Sequence, residues 1–158
     1  MNIIIVKGLE ALEGEDLSGV VRLANKKMLR EGRQPILTEE EAATALKQYY
    51  ALPFLRPGEQ QFAVSSTVDD YWHSHILDTF AYQQFCARVY GHMMHHGPLD
   101  QDDEPEFEVV KNLYDLSRTT LLSHFGELVS PLAYPDTMTC SAKNVVVCVM
   151  YCEPRQAA

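Results

Sequence analysis

Apolar side chains recur along this chain at helical spacing in four stretches and as short unbroken runs near its two ends. Leu17, Val20, Val21, Leu23, Ala24 and Met28 form one stripe between Asp16 and Glu31, with Gly32 where a C-capping glycine belongs. Thr38 to Glu41 reads as a capping box, in which hydroxyl and carboxylate each accept from the other residue's backbone N–H. Ala42, Ala45, Leu46, Tyr49 and Tyr50 continue that second helix until Pro53. A loop with Pro57 and Gly58 leads to a short extended segment at Gln61 to Ser65. Ser66 and Thr67 can cap a third helix, with Asp69 and Asp70 in its first turn, where negative charge meets the helix dipole, and its far end falls near Gly91. Phe107, Val110, Leu113, Tyr114, Leu121 and Leu122 predict a fourth from about Glu106 to Phe125, ended by Pro131 and Pro135. The β-branched run Val145 to Tyr151 predicts a strand, for which Ile3 to Val6 is the only comparable partner. The expected fold is mainly α: a single-domain helical bundle of about four helices over residues 1–158, with a small terminal β element.

Composition narrows the class. The chain has 158 residues, 46% of them hydrophobic, so it is long enough to bury roughly 70% of its unfolded surface and needs neither a disulfide nor a metal merely to fold. A metal site would therefore need a separate reason to exist. No internal repeat is visible, and the serine-hydrolase, P-loop and dinucleotide glycine motifs are absent. Neither end reads as an export signal or a membrane span, so the expected compartment is the cytoplasm. There the four Cys would be reduced; no Cys-x-x-Cys pair occurs, and Cys140, Cys148 and Cys152 read as small buried hydrophobes.

The net charge of -9 is unevenly spread. Residues 1–68 hold eight basic and nine acidic side chains, residues 69–104 one and seven, and residues 105–158 four and six. The acidic middle also contains five of the six His, namely His73, His75, His92, His95 and His96. Carboxylate and imidazole crowded together suit a cation and would repel phosphate, so no nucleic acid partner is expected; neither is a membrane. Residues 99–105 have the composition of an exposed acidic loop.

Helical geometry limits which groups can share an ion. At 100° per residue Asp69 and His73 lie on one face, whereas His75 is rotated 200° from His73. Trp72, His75, Thr79, Tyr82 and Cys86 form a second stripe. An unbroken helix would put Gly91 about 27 Å from His73, while the four further residues to His95 span at most about 14 Å. Three arrangements remain open: a helix break at Asp78-Thr79 that turns the chain back, two separate sites with His92 grouped near His95 and His96, or ligands from another chain.

The run Val68-Asp69-x-x-Trp72-His73-x-His75-Ile76-Leu77-Asp78-Thr79-x-x-Tyr82-x-x-Phe85-Cys86, followed by Gly91 and His95-His96-Gly97-Pro98, resembles the glycine-rich domain-containing protein-like family. The resemblance covers roughly residues 42–98 and implies a shared His-rich core rather than a reaction. It points to Asp69, Trp72, His73, His75, Tyr82, Cys86 and His95 as signature residues.

A metal role for these residues follows from their chemistry. The leading ligands are His73, His75, His95 and His96, with Asp69, Asp78, Tyr82, Cys86 and His92 as outer partners or alternative ligands. The expected cofactor is a divalent metal, Zn or Fe. The competing reading is a hydrogen-bonded His–Asp core, with one imidazole on Asp69 and the other on Asp78; Trp72, Tyr82 and Cys86 would then be packing residues and His124 structural. Three functions compete: a metal-organised binding or regulatory module with an unidentified protein or small-molecule partner, a small metalloenzyme with two or three His, a carboxylate and an open position, and a metal-free interaction protein.

Overall fold

Side-chain caps set where most of the helices begin. In a computed structural model that describes residues 2–138 and 145–152, Asn2 accepts from Ile4 N to start α1 (Ile3–Glu13), and α2 follows at Ser18–Arg30. Thr38 and Glu41 form the capping box that opens α3 (Glu39–Leu55), with the two bonds at 3.1 and 2.8 Å. After strand β1 (Gln61–Ser65), the Ser65 hydroxyl caps α4 (Ser66–Leu77) through Val68 N at 3.2 Å. Asp78 then caps α5 (Thr79–Val89) through Ala81 N, strand β2 runs Met94–Pro98, and Asp103 caps α6 (Glu104–Phe125) through Glu106 N. A 3-10 turn at Gly126–Leu128 and strand β3 (Val146–Cys152) complete the described elements.

The protein is mostly helical, as the apolar periodicity predicts, but the described residues form six α-helices rather than about four. One extra helix is α1: Ile3 to Val6 are helical, not the partner of the terminal strand, because the Asn2 cap starts a helix whose Leu12 is buried. Gly8 lets α1 lie close to α3, since a Cβ there would collide with the Phe54 ring. The other arises because the expected third helix breaks at Asp78. Pro53 costs α3 one N–H donor near its end without ending it.

The terminal strand does form, and it is the middle strand of an antiparallel sheet in the order β1-β3-β2. β2 was not expected, because Met94-His95-His96-Gly97-Pro98 has no β-branched residue to mark it. Register assigns the faces: Phe62 pairs with Met150 and Val64 with Cys148 across β1–β3, while His96 pairs with Met150 and His95 with Tyr151 across β2–β3. Directly paired residues point to the same side of a sheet. Phe62, Val64, Cys148 and Met150 therefore join the main core with Tyr49, Tyr50 and Trp72, and Ala63 turns to Phe107, Val110 and Tyr114 of α6. Among the described residues no helix is long and apolar enough to cross a membrane.

Candidate metal centre

The site lies where α4 meets the sheet. Asp69 and His73, one helical turn apart, present Oδ2 and Nε2 3.7 Å from each other. The break at Asp78 reverses the chain so that α5 carries it away from α4 and β2 brings it back, and His96 then sets its Nε2 2.8 Å from His73 Nε2 and 3.1 Å from Asp69 Oδ1. Cys148, on the same sheet face, places Sγ 3.6 Å from Asp69 Oδ2. One donor atom from each of Asp69, His73, His96 and Cys148 lies within 4.8 Å of all the others.

Burial is graded across this cluster. Asp69 and Cys148 are buried, the His96 side chain is 17% exposed, and the His73 side chain is 45% exposed and forms the solvent edge. The indole of Trp72 packs on the His96 ring with centroids 4.6 Å apart. Burial, reinforced by the neighbouring Asp69 charge, pushes the Cys148 thiol up to about 12. Without a cation Cys148 stays protonated and donates to Asp69; a bound metal would take the place of that proton.

Proton bookkeeping exposes a conflict in the cluster. If His96 Nε2 carries the hydrogen, that one N–H is divided between the Asp69 oxygen and the His73 lone pair, and neither acceptor has a full bond. If His73 donates to it, the His96 lone pair faces a carboxylate oxygen at 3.1 Å. Charging both rings sets two N–H groups against each other at 2.8 Å. A single positive centre shared by the four donor atoms removes the conflict.

The other candidate residues point elsewhere. His75 is on the far side of α4, where its Nδ1 and the Tyr50 hydroxyl share a 2.7 Å hydrogen bond and its ring packs on Tyr82 and Phe85. Burial lowers its pKa to about 4, against opposing pulls from Glu15 and Asp78. His95 is on the opposite face of β2 from His96 and stacks on Tyr151 at 5.3 Å. His92 is exposed beside Met93, and the Asp78 carboxylate is engaged in capping α5. The Tyr82 hydroxyl accepts from the Trp72 indole at 3.2 Å and donates to Met94 O at 2.8 Å, and burial raises the Cys86 thiol beside it.

Cys148 is the donor that sequence reasoning missed. Within a run of Val and Met it reads as a small hydrophobe, and only the β1-β3-β2 pairing brings it to Asp69. Cys140 lies outside the described residues, as does the side chain of Cys152.

Fold and site together define a mostly helical domain with a small antiparallel sheet and a His–Asp–Cys cluster at the helix–sheet junction. The UCP032817-like family matches residues 23–111, more than half of the chain, and the chain belongs to that family. This match corrects the resemblance to the glycine-rich domain-containing protein-like family: the Trp-His-x-His run that carried it lies wholly inside the matched segment, and no glycine-rich domain family is indicated. No curated protein and no solved structure matches the chain. The matched segment contains Asp69, His73 and His96 and stops short of Cys148.

Proposed function

We propose that this domain holds a divalent transition metal ion through Asp69, His73, His96 and Cys148, and that the ion staples α4 to β2 and β3 in a non-catalytic binding or regulatory module. The observation that carries the reading is His96 Nε2, placed 2.8 Å from one lone-pair donor and 3.1 Å from another with one proton to serve both. Two imidazoles, a thiol and a carboxylate favour Zn or Fe over Mg or Ca, which prefer all-oxygen sites. The distances fit as well: metal bonds of about 2.0–2.3 Å imply ligand–ligand edges of about 3.3–3.7 Å in a tetrahedron. The contacts of 2.8 and 3.1 Å at His96 reach those edges with small side-chain movements, and those of 3.6 and 3.7 Å at Asp69 already match them. Four clefts of 260, 360, 540 and 450 Å³ are lined by residues outside the cluster.

Elemental analysis of the untagged protein tests this reading. The expected result is near-stoichiometric Zn or Fe, in the protein as purified or after reconstitution, that is lost in a His73→Ala, His96→Ala variant and in Cys148→Ala, and kept in His95→Ala. A folded parent that neither carries nor takes up metal would overturn it and leave a hydrogen-bonded His–Asp core.

One observation favours a metalloenzyme as the second reading: the 45% exposure of His73 gives an ion a solvent edge. Asp69, His73 and His96 would then be a two-His-one-carboxylate set. Co(II) loading separates the two, since a closed site stays tetrahedral when azide is added, whereas an open one changes its spectrum on binding the anion.

A further inference from the structure

A second feature lies on another side of α4. A groove of 540 Å³ runs between α2 and the α4–α5 junction, and its apolar lining is unusually open: Leu23 is 51%, Leu77 68% and Phe80 71% exposed. Lys27 and Arg30 form the basic rim. Asp78 also lines the groove, but its carboxylate accepts from Ala81 N at the start of α5, where the helix dipole offsets its charge.

Charge along α2 says what would sit there. Ser18–Arg30 carries Arg22, Lys26, Lys27 and Arg30 and no acidic residue, in a protein whose net charge is -9. No ion pair is found for these four among the described residues, whereas Arg33 just beyond them is held by Glu31 and Asp70. Single exposed apolar residues are ordinary, but three around one groove beside a helix of four cations, of which, among the described residues, only Arg22 and Lys27 feel a nearby carboxylate, Asp16 and Glu31, mark an interaction surface. A basic membrane-binding helix would carry its apolar side chains opposite its charges and present them on a convex surface; here Leu77 and Phe80 come from a different pair of helices and line a concave one. The shape suits a helix laid into a groove, with apolar anchors at i, i+3 or i+4, and i+7.

We infer that this groove docks an acidic amphipathic helix of a partner protein, whose apolar stripe covers Leu23, Leu77 and Phe80 while its Asp and Glu side chains meet Lys27 and Arg30. Electrostatic complementarity then selects the partner and apolar burial supplies the affinity. The inference is independent of the metal reading, because neither the groove nor its rim contains a cluster ligand.

The probe is a fluorescein-labelled designed helical peptide with Leu at positions i, i+4 and i+7, Glu flanking that stripe and Ala elsewhere, titrated against the full chain by fluorescence anisotropy. A second peptide replaces every Glu with Lys. The acidic peptide is expected to bind saturably and the basic one at least about tenfold more weakly. Phe80→Ser and Leu77→Ser should each weaken the acidic peptide about tenfold, because central apolar anchors dominate such contacts, and Lys27→Gln with Arg30→Gln should remove the weakening of binding by salt. Leu77 and Phe80 are exposed, so these variants should keep the parent's circular dichroism. Failure of the acidic peptide to bind, or binding that all the groove variants retain, would overturn the inference. Dimerisation through the groove in light scattering, or groove-dependent binding to phosphatidylserine vesicles without peptide binding, would overturn it in favour of a second copy or a membrane.

Discussion

At the residue scale, the two imidazoles of His73-x-His75 have separate tasks. His73 faces Asp69 and solvent, and His75 is buried against Tyr50, Tyr82 and Phe85. The His75 pKa falls from its ordinary 6.5 to about 4 because burial disfavours the charged ring. Between those values the unfolded chain binds a proton that the folded one refuses, so the contribution is fully present above pH 6.5 and is lost as pH falls towards 4. At pH 5 the expected loss is about 2 kcal/mol. Urea unfolding at pH 7 and pH 5, with chelator present throughout, should show the parent losing about that much more than His75→Gln; equal losses would refute it. The sequence already revealed the 200° divergence of this pair, since it follows from helix geometry alone. It did not reveal which imidazole had the carboxylate and which the hydroxyl, because Tyr50 is 25 residues away and belongs to another helix.

At the element scale, the break between α4 and α5 decides whether a site can form. Asp78 caps α5 and α4 stops at Leu77, so the chain can turn back and deliver β2 beside α4. Of the three arrangements the His spacing left open, this one joins His73 to His96, and it was legible because Asp and Thr are good N-caps. Which of the adjacent His95 and His96 would face α4 was not legible: the answer depends on recognising β2 as a strand, and Gly97 and Pro98 hide it. Cys148 was hidden for a related reason, since the pairing of β3 with β1 and β2 brings it to Asp69, 79 residues earlier in the chain, and leaves no local trace. Replacing Asp78 with Ala should cost about 1 kcal/mol in urea unfolding of the chelated protein, and Asn at 78 should recover most of it. If the break also holds β2 in register, the Ala variant will bind metal more weakly in a competition assay while the Asn variant will not. Unchanged affinity in both would show that sheet pairing alone holds β2 in place.

At the scale of the whole molecule, an ion in the cluster would tie a helix to two strands through His96 and Cys148, 27 and 79 residues after Asp69. The main core, with Trp72, Tyr49 and Tyr50 fully buried, can hold the fold without that tie, so the ion should stabilise and not be required for folding. Binding to the folded state alone adds RT ln(1 + [metal]/Kd), about 4 kcal/mol when free metal is about a thousandfold above Kd. For a domain of this size each kcal/mol moves Tm by roughly 2–4 °C, so chelation should lower Tm by about 8–16 °C and leave a cooperative transition. The same shift should vanish in His73→Ala, His96→Ala, whose Tm should match the chelated parent under both conditions. A parent whose Tm ignores both metal and chelator would argue that the cluster is a hydrogen-bonded junction. A parent that unfolds without metal would instead place the cluster, and not the aromatic core, at the centre of its stability.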